Sequence, residues 1–253
     1  MKTMKNILIA IFMIGVAVTA PALTIDDAQE LLANLDTQSN IEGSDFSAVM
    51  TMVTEDPQEG TDRSVVQQFR RDTDDAFLML IQEPVIQRGQ GYLRIDESLW
   101  FYDPESRQFA HTSMNDRFNG SDANNSDFQR SNLEDDYRVT TVDEGTLGRF
   151  SVWILNLKAT SNEVPYPTQR LWINRDTPVI LKSEDYSAGG RLMRTSYYPS
   201  YTRIQDDAYV PTRMLFVDAL VEGKRTEITL TDISVQDLPD TIFTKSYVER
   251  VNN

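Results

Sequence analysis

The chain has 253 residues, with 39 acidic against 24 basic side chains, a formal net charge of −15, one histidine and no cysteine. The missing cysteine excludes disulfides, a thiol nucleophile and thiolate metal ligands. So acidic a balance argues against nucleic acid as a partner, because phosphate binding needs clustered Lys and Arg.

Residues 1–22 read as an export signal. Lys2 and Lys5 form a basic start, Ile7 to Val18 an apolar run, and Ala20-Pro21-Ala22 a cleavage site that leaves Leu23 as the new N-terminus. The apolar run is shorter than the ~20 residues that span a bilayer, and no cysteine at the junction offers a lipid anchor. The expectation is a periplasmic protein, soluble after cleavage, with residues 23–253 as a single domain.

One helix opens the mature chain. Thr24 caps it, Asp27 completes a capping box, and Ala28, Leu31, Leu32 and Leu35 share a face. The period then changes to two. Phe46, Ala48, Met50 and Met52 alternate with Ser47, Val49, Thr51 and Val53. Runs at 65–71, 76–81, 92–95 and 99–103 follow, then 150–159, 170–174, 179–187, 192–198, 213–219 and 227–234. Each is rich in β-branched or aromatic residues and bounded by Gly, Pro, Asn or Asp, which predicts an antiparallel meander. Residues 76–81 are apolar at both parities, so that strand needs a cover on each face. Helices could supply one cover, and a second sheet or a bound apolar ligand the other.

Two segments interrupt the meander. Asn115–Asp136 is polar and reads as a long loop with a short helix near Asp127–Leu133. The C-terminal "LPDTIFTKSYVERV" reads as a turn and a short helix.

Little in the chain points to catalysis. His111 has no second His or Cys to share a metal. Asp122, Asn124, Ser126 and Asp127 resemble a calcium loop only superficially, because the turn glycine and terminal Glu of an EF-hand are missing. No G-x-S-x-G elbow or phosphate-cradling glycine loop is present. Trp100, Tyr102, Trp153 and Trp172 could stack on a sugar, although strand aromatics more often fill a core. No catalytic residue, metal site or cofactor is expected.

"LWFYDPESRQ" resembles a strand–turn–strand signature of the periplasmic lipoprotein carrier LolA family. "RGQGYLRI", "DRFNGSD", "LEDDY", "YPTQRLWINRDTPVILKSEDYSAGGRLMRT", "YVPTRM" and "LPDTIFTKSYV" are similar, in order and spacing, to the LolA-like outer-membrane lipoprotein-sorting proteins. The resemblance covers nearly all of 23–251. It implies a mainly β protein, an incomplete antiparallel β-barrel whose open face is covered by an N-terminal helix and short helices.

The same resemblance implies a monomeric carrier that buries the acyl chains of lipoprotein or lipid cargo. It would take its load from an inner-membrane exporter and pass it to an outer-membrane acceptor. The alternatives are an accessory subunit of an exporter that carries nothing, and a hydrolase. The expected cavity lining is Met50, Met52, Leu78, Leu80, Leu93, Ile95, Trp100 and Tyr102. A strand arginine that gates the cavity in the carrier family has its nearest match in Arg71 of "QFRRD", with Arg70 an equally possible occupant.

Overall fold

A computed structural model describes residues 23–205 and 208–251; the expected signal segment lies outside them. Helix α1 spans Ile25–Ser39. Its capping box is complete: the Asp27 amide donates to Thr24 Oγ1 at 3.2 Å, and the Thr24 amide donates to the Asp27 carboxylate at 3.1 Å. Ala28, Leu32 and Leu35 are its buried stripe.

Six strands follow: β1 (Phe46–Asp56), β2 (Gly60–Arg71), β3 (Ala76–Glu83), β4 (Gly91–Ile95), β5 (Ser98–Asp103) and β6 (Gln108–Thr112). A crossing segment, 113–136, ends in the single turn of α2 (Leu133–Asp136). Seven more strands complete the set: β7 (Tyr137–Leu147), β8 (Phe150–Ala159), β9 (Thr168–Asn174), β10 (Ile180–Tyr186), β11 (Leu192–Arg203), β12 (Tyr209–Asp218) and β13 (Arg225–Val235). A short turn, Asp240–Phe243, and α3 (Lys245–Arg250) end the described chain.

All thirteen strands form one sheet in the order β6-β5-β4-β3-β2-β1-β13-β12-β11-β10-β9-β8-β7. Every pairing is antiparallel, and β6 and β7 are left as open edges. Two meanders therefore meet at a seam between the first strand and the last.

Cross-strand partners share a face. Met50 stands opposite Val66 and Leu230, and Val66 opposite Ile81. Ile228 faces Met52 and Met214, Phe216 faces Ser196, and Ser183 links Ser196 to Leu171, which faces Leu155. One face thus runs from Met79 to Leu155. Helix α1 covers its β7–β9 end, against Tyr137, Val139, Leu155, Leu157 and Leu171. The crossing segment covers its β1–β5 end through Phe118, Ala123 and Phe128.

The opposite face of β3–β5 carries Leu78, Leu80, Leu93 and Tyr102. It lies beneath Ile242, Phe243 and Val248 of the C-terminal segment. Residues Ala76–Ile81 are buried throughout, as their two apolar parities require, and both covers are the protein's own chain. The short helix expected near 127–133 divides instead into a turn at Asn125–Phe128 and α2 at Leu133–Asp136.

Candidate functional site

A cavity of about 260 Å³ opens on the inner face, between the end of α1, residues 126–137, the 164–166 turn and strands β9–β12. Leu35, Leu171, Ile180 and Val210 supply aliphatic wall, and Tyr137, Tyr166, Tyr198 and Tyr201 supply rings. The phenol oxygens are largely spent on the protein. Tyr137 Oη donates to the Tyr166 carbonyl at 3.1 Å, and Tyr201 Oη donates to the Ile180 carbonyl at 2.6 Å. Tyr166 Oη accepts from Asn124 Nδ2 at 3.0 Å. Burial pushes Tyr198 up to about 12 and Tyr201 well above the usual phenol value, so both stay neutral. The tyrosines offer the cavity mainly ring surface.

One wall is fixed by a buried ion cluster. Arg194 on β11 donates to both Asp127 carboxylate oxygens, at 2.5 and 3.0 Å, to Asp185 Oδ2 at 2.8 Å and to the Asp122 carbonyl at 3.2 Å. Burial disfavours its charge, but Asp127 and Asp185 outweigh that and hold the guanidinium protonated. Burial also raises Asp185 above the ordinary carboxyl value against the pull of Arg194. Beside this cluster, Asp122 accepts from Arg117 Nη1 at 2.9 Å and from Thr226 Oγ1 at 3.1 Å. The carboxylates of the superficial calcium motif are thus engaged by arginines and a threonine. The polar crossing segment is pinned to β11–β13 while its phenylalanines enter the core.

The polar end of the cavity lies where α1 stops. Asn40 and Ser131 exchange hydrogen bonds of 2.9 and 2.7 Å. Arg70 donates to the Ser39 carbonyl at 3.0 Å and pairs with Asp72 at 2.7 Å.

The expected lining residues do not come together. Met50 and Met52 are on the inner face, buried with the crossing segment. Leu78, Leu80, Leu93, Ile95 and Tyr102 are on the outer face, packed with the C-terminal segment. Trp100 also faces outward, 3.6 Å from the His111 ring, with Lys245 Nζ 3.0 Å above its ring. None of the eight borders the cavity beneath α1. Alternation holds within a strand, but each turn resets it, and the set chosen on β1 fell on the inner face while those on β3, β4 and β5 fell on the outer.

Arg71 also needs correction. It forks onto Asp45 at 2.9 and 2.8 Å, reaches Asp240 and the Leu238 carbonyl at 2.7 Å each, and lies 4.8 Å over the Phe243 ring. It clasps the C-terminal segment to the outer face. Arg70, its neighbour, is the one that borders the cavity and holds α1. The tyrosines of "SYYPSYTR" were the missed signal, since Tyr198 and Tyr201 both line the wall.

A family model described as an uncharacterized protein matches residues 73–250. The chain belongs to that family, and its fold is LolA-like. A LolA superfamily protein from Nitrosomonas europaea is similar at a TM-score of 0.75 and 29% identity, covering 87% of this chain and 98% of that one. A domain from Vibrio parahaemolyticus, described as an outer membrane lipoprotein-sorting protein, matches at 0.79 and 20% identity over 90% of this chain and 100% of that chain. A DUF1329 family protein from Desulfovibrio piger matches at 0.79 and 20% identity, over 88% and 98% of the respective chains. No curated protein sequence matches. Among the described residues of this LolA-like chain, no helix is long and apolar enough to cross a membrane.

Proposed function

We propose that this protein is a periplasmic carrier that shelters the apolar part of an amphiphile in the cavity beneath α1. The observation that carries the reading is the placement of that cavity on the inner face of a LolA-like sheet, walled by aliphatic side chains and tyrosine rings. Burial of an acyl chain there would contribute ~0.8 kcal/mol per methylene removed from water. Loading from an inner-membrane exporter and handover to an outer-membrane acceptor then need only a difference in apolar affinity. The carrier binds and releases, and no catalytic group takes part. The Lys2/Lys5 start and the Ala20-Pro21-Ala22 junction support export.

At about 260 Å³ the cavity sits just below the ~300–1,000 Å³ usual for ligand sites. It suits one chain rather than three. Mass spectrometry of organic extracts from protein purified out of the periplasm tests the reading. A stoichiometric amphiphile is the expected result. A clean extract, from protein that also fails to take up a fluorescent fatty acid, overturns it.

A second reading has an observation of its own. Phe118 and Phe128 pack the β1–β5 half of the inner face shut. That closure favours an accessory subunit that docks on an exporter and carries nothing, for which the same extract would be empty.

A further inference from the structure

Arg130 borders the cavity, and its buried Nε has no hydrogen-bond partner. The Nε atoms of Arg70 and Arg94 are likewise without a hydrogen bond, but those two arginines, like the other charges nearby, are held through other atoms. Arg70 is paired with Asp72 and bonded to Ser39. Arg94 is held by Asp75 and Gln129. Asp127 is taken by Arg194. Asp36 accepts from Ser131 Oγ and from the Leu133 and Glu134 amides. The remaining carboxyl on the cavity wall is Asp136, pushed up first by burial and then by Asp36 and Asp135, against the pull of Arg94. Among the described residues no carboxylate lies within ion-pair distance of Arg130; Asp75 acts on it only through space.

A guanidinium with a desolvated, unbonded donor is costly unless something else satisfies it. Its planar fork fits carboxylate or phosphate oxygens. The buried Gln38 Oε1 on the same cavity wall is also without a partner. Exchange of its amide O and N would give the cavity wall a second unpaired donor. Beyond this polar end lie Ile180, Val210 and the tyrosine rings.

Resting on the carrier reading, we propose that the cargo is an anionic amphiphile. Its carboxylate or phosphate is received by Arg130, with Gln38 beside it, and its tail runs along the tyrosine wall. This selects free acidic lipids over a lipid-modified protein terminus, whose ester- and amide-linked chains present no charge at that point.

The test uses the mature chain and two fluorescent probes, dansyl-labelled undecanoic acid and its uncharged methyl ester. The parent should bind the acid roughly tenfold or more tightly than the ester, as a charge-assisted hydrogen bond implies. Arg130→Gln should remove that preference and leave ester binding unchanged, and Arg130→Lys should restore part of it. Competition by dodecyl phosphate against dodecanoate separates a phospholipid-type head from a carboxylate. Equal binding of acid and ester by the parent, or an Arg130→Gln variant that keeps the acid preference, overturns the headgroup assignment while the carrier reading stands. A parent that binds neither probe overturns both.

Discussion

The two halves of the inner face have the same sheet behind them and opposite fillings. Over β1–β5 the crossing segment lays Phe118 and Phe128 against Tyr92, with ring centroids 4.7 Å from Tyr92 to Phe118 and 5.0 Å between the phenylalanines. Over β7–β12 the cover is α1, whose buried stripe is Ala28, Leu32 and Leu35. A curved sheet leaves a concave volume that a helix with small and aliphatic side chains does not fill to its far corner. Aromatic side chains carried by an irregular segment do fill it. The difference in cover, not in the sheet, decides which half keeps a space.

The largest expected effect falls on the filled half. Phe118 is fully buried, so Phe118→Ala should cost ~3–5 kcal/mol in urea unfolding. A loss under about 1 kcal/mol would mean that the crossing segment is only draped over the sheet.

A matched pair of variants sharpens the contrast. Leu80 is on the outer face, where even a Cβ on Gly91 would come within 3.1 Å of it. Leu80→Trp should therefore destabilise by ~1–3 kcal/mol and leave fatty-acid uptake intact. Ile180→Trp places its ring in the cavity, so stability should hold within about 1 kcal/mol while uptake falls. Reversal of these two outcomes would move the binding space to the other half.

The smallest effect is local and depends on pH. Burial raises the Asp45 pKa, but the hydrogen bonds from Arg71 and the Leu238 amide outweigh burial, and the carboxyl ends below its free value of 3.8. A depressed carboxyl contributes stability above the unfolded value and loses it as pH falls through the folded value. The Arg71 clasp should be complete at neutral pH and weaken below about pH 4. Hydrogen exchange at Ile242–Val248 should then accelerate before exchange in β3; synchronous loss would show that the segment has no independent opening.

Much of this arrangement is legible in sequence where the signal is local. The Thr24–Asp27 box and the leucine stripe specify α1 without help from the rest of the chain. The dense apolar runs mark most of the strands. Strand β7 escapes because Tyr137–Leu147 is an edge strand with many exposed polar positions, and alternation there is faint. The crossing segment reads as solvated loop because Asp122, Asn124 and Asn125 are polar. Burial of Asp122 and Asn124 depends on Thr226 and Tyr166, partners far away in sequence, with Arg117 pairing Asp122 from within the segment. The cavity lining fails for a related reason: the turn between β2 and β3 sets Val66 opposite Ile81 rather than Leu80, a choice of face that no single strand records.

The seam between β1 and β13 carries a consequence for assembly. It pairs Phe46 with Val235, and a Thr231 hydroxyl with a carbonyl 182 residues earlier. Closing so long a loop is entropically costly, and it is the one distant pairing in a sheet whose other eleven join consecutive strands. Each meander can zip by neighbouring hairpins, yet the cavity draws Arg70 from one and Val210 from the other. A nascent chain lacking its last strand therefore has hairpins but no cavity, and the capacity to bind arrives in one late step.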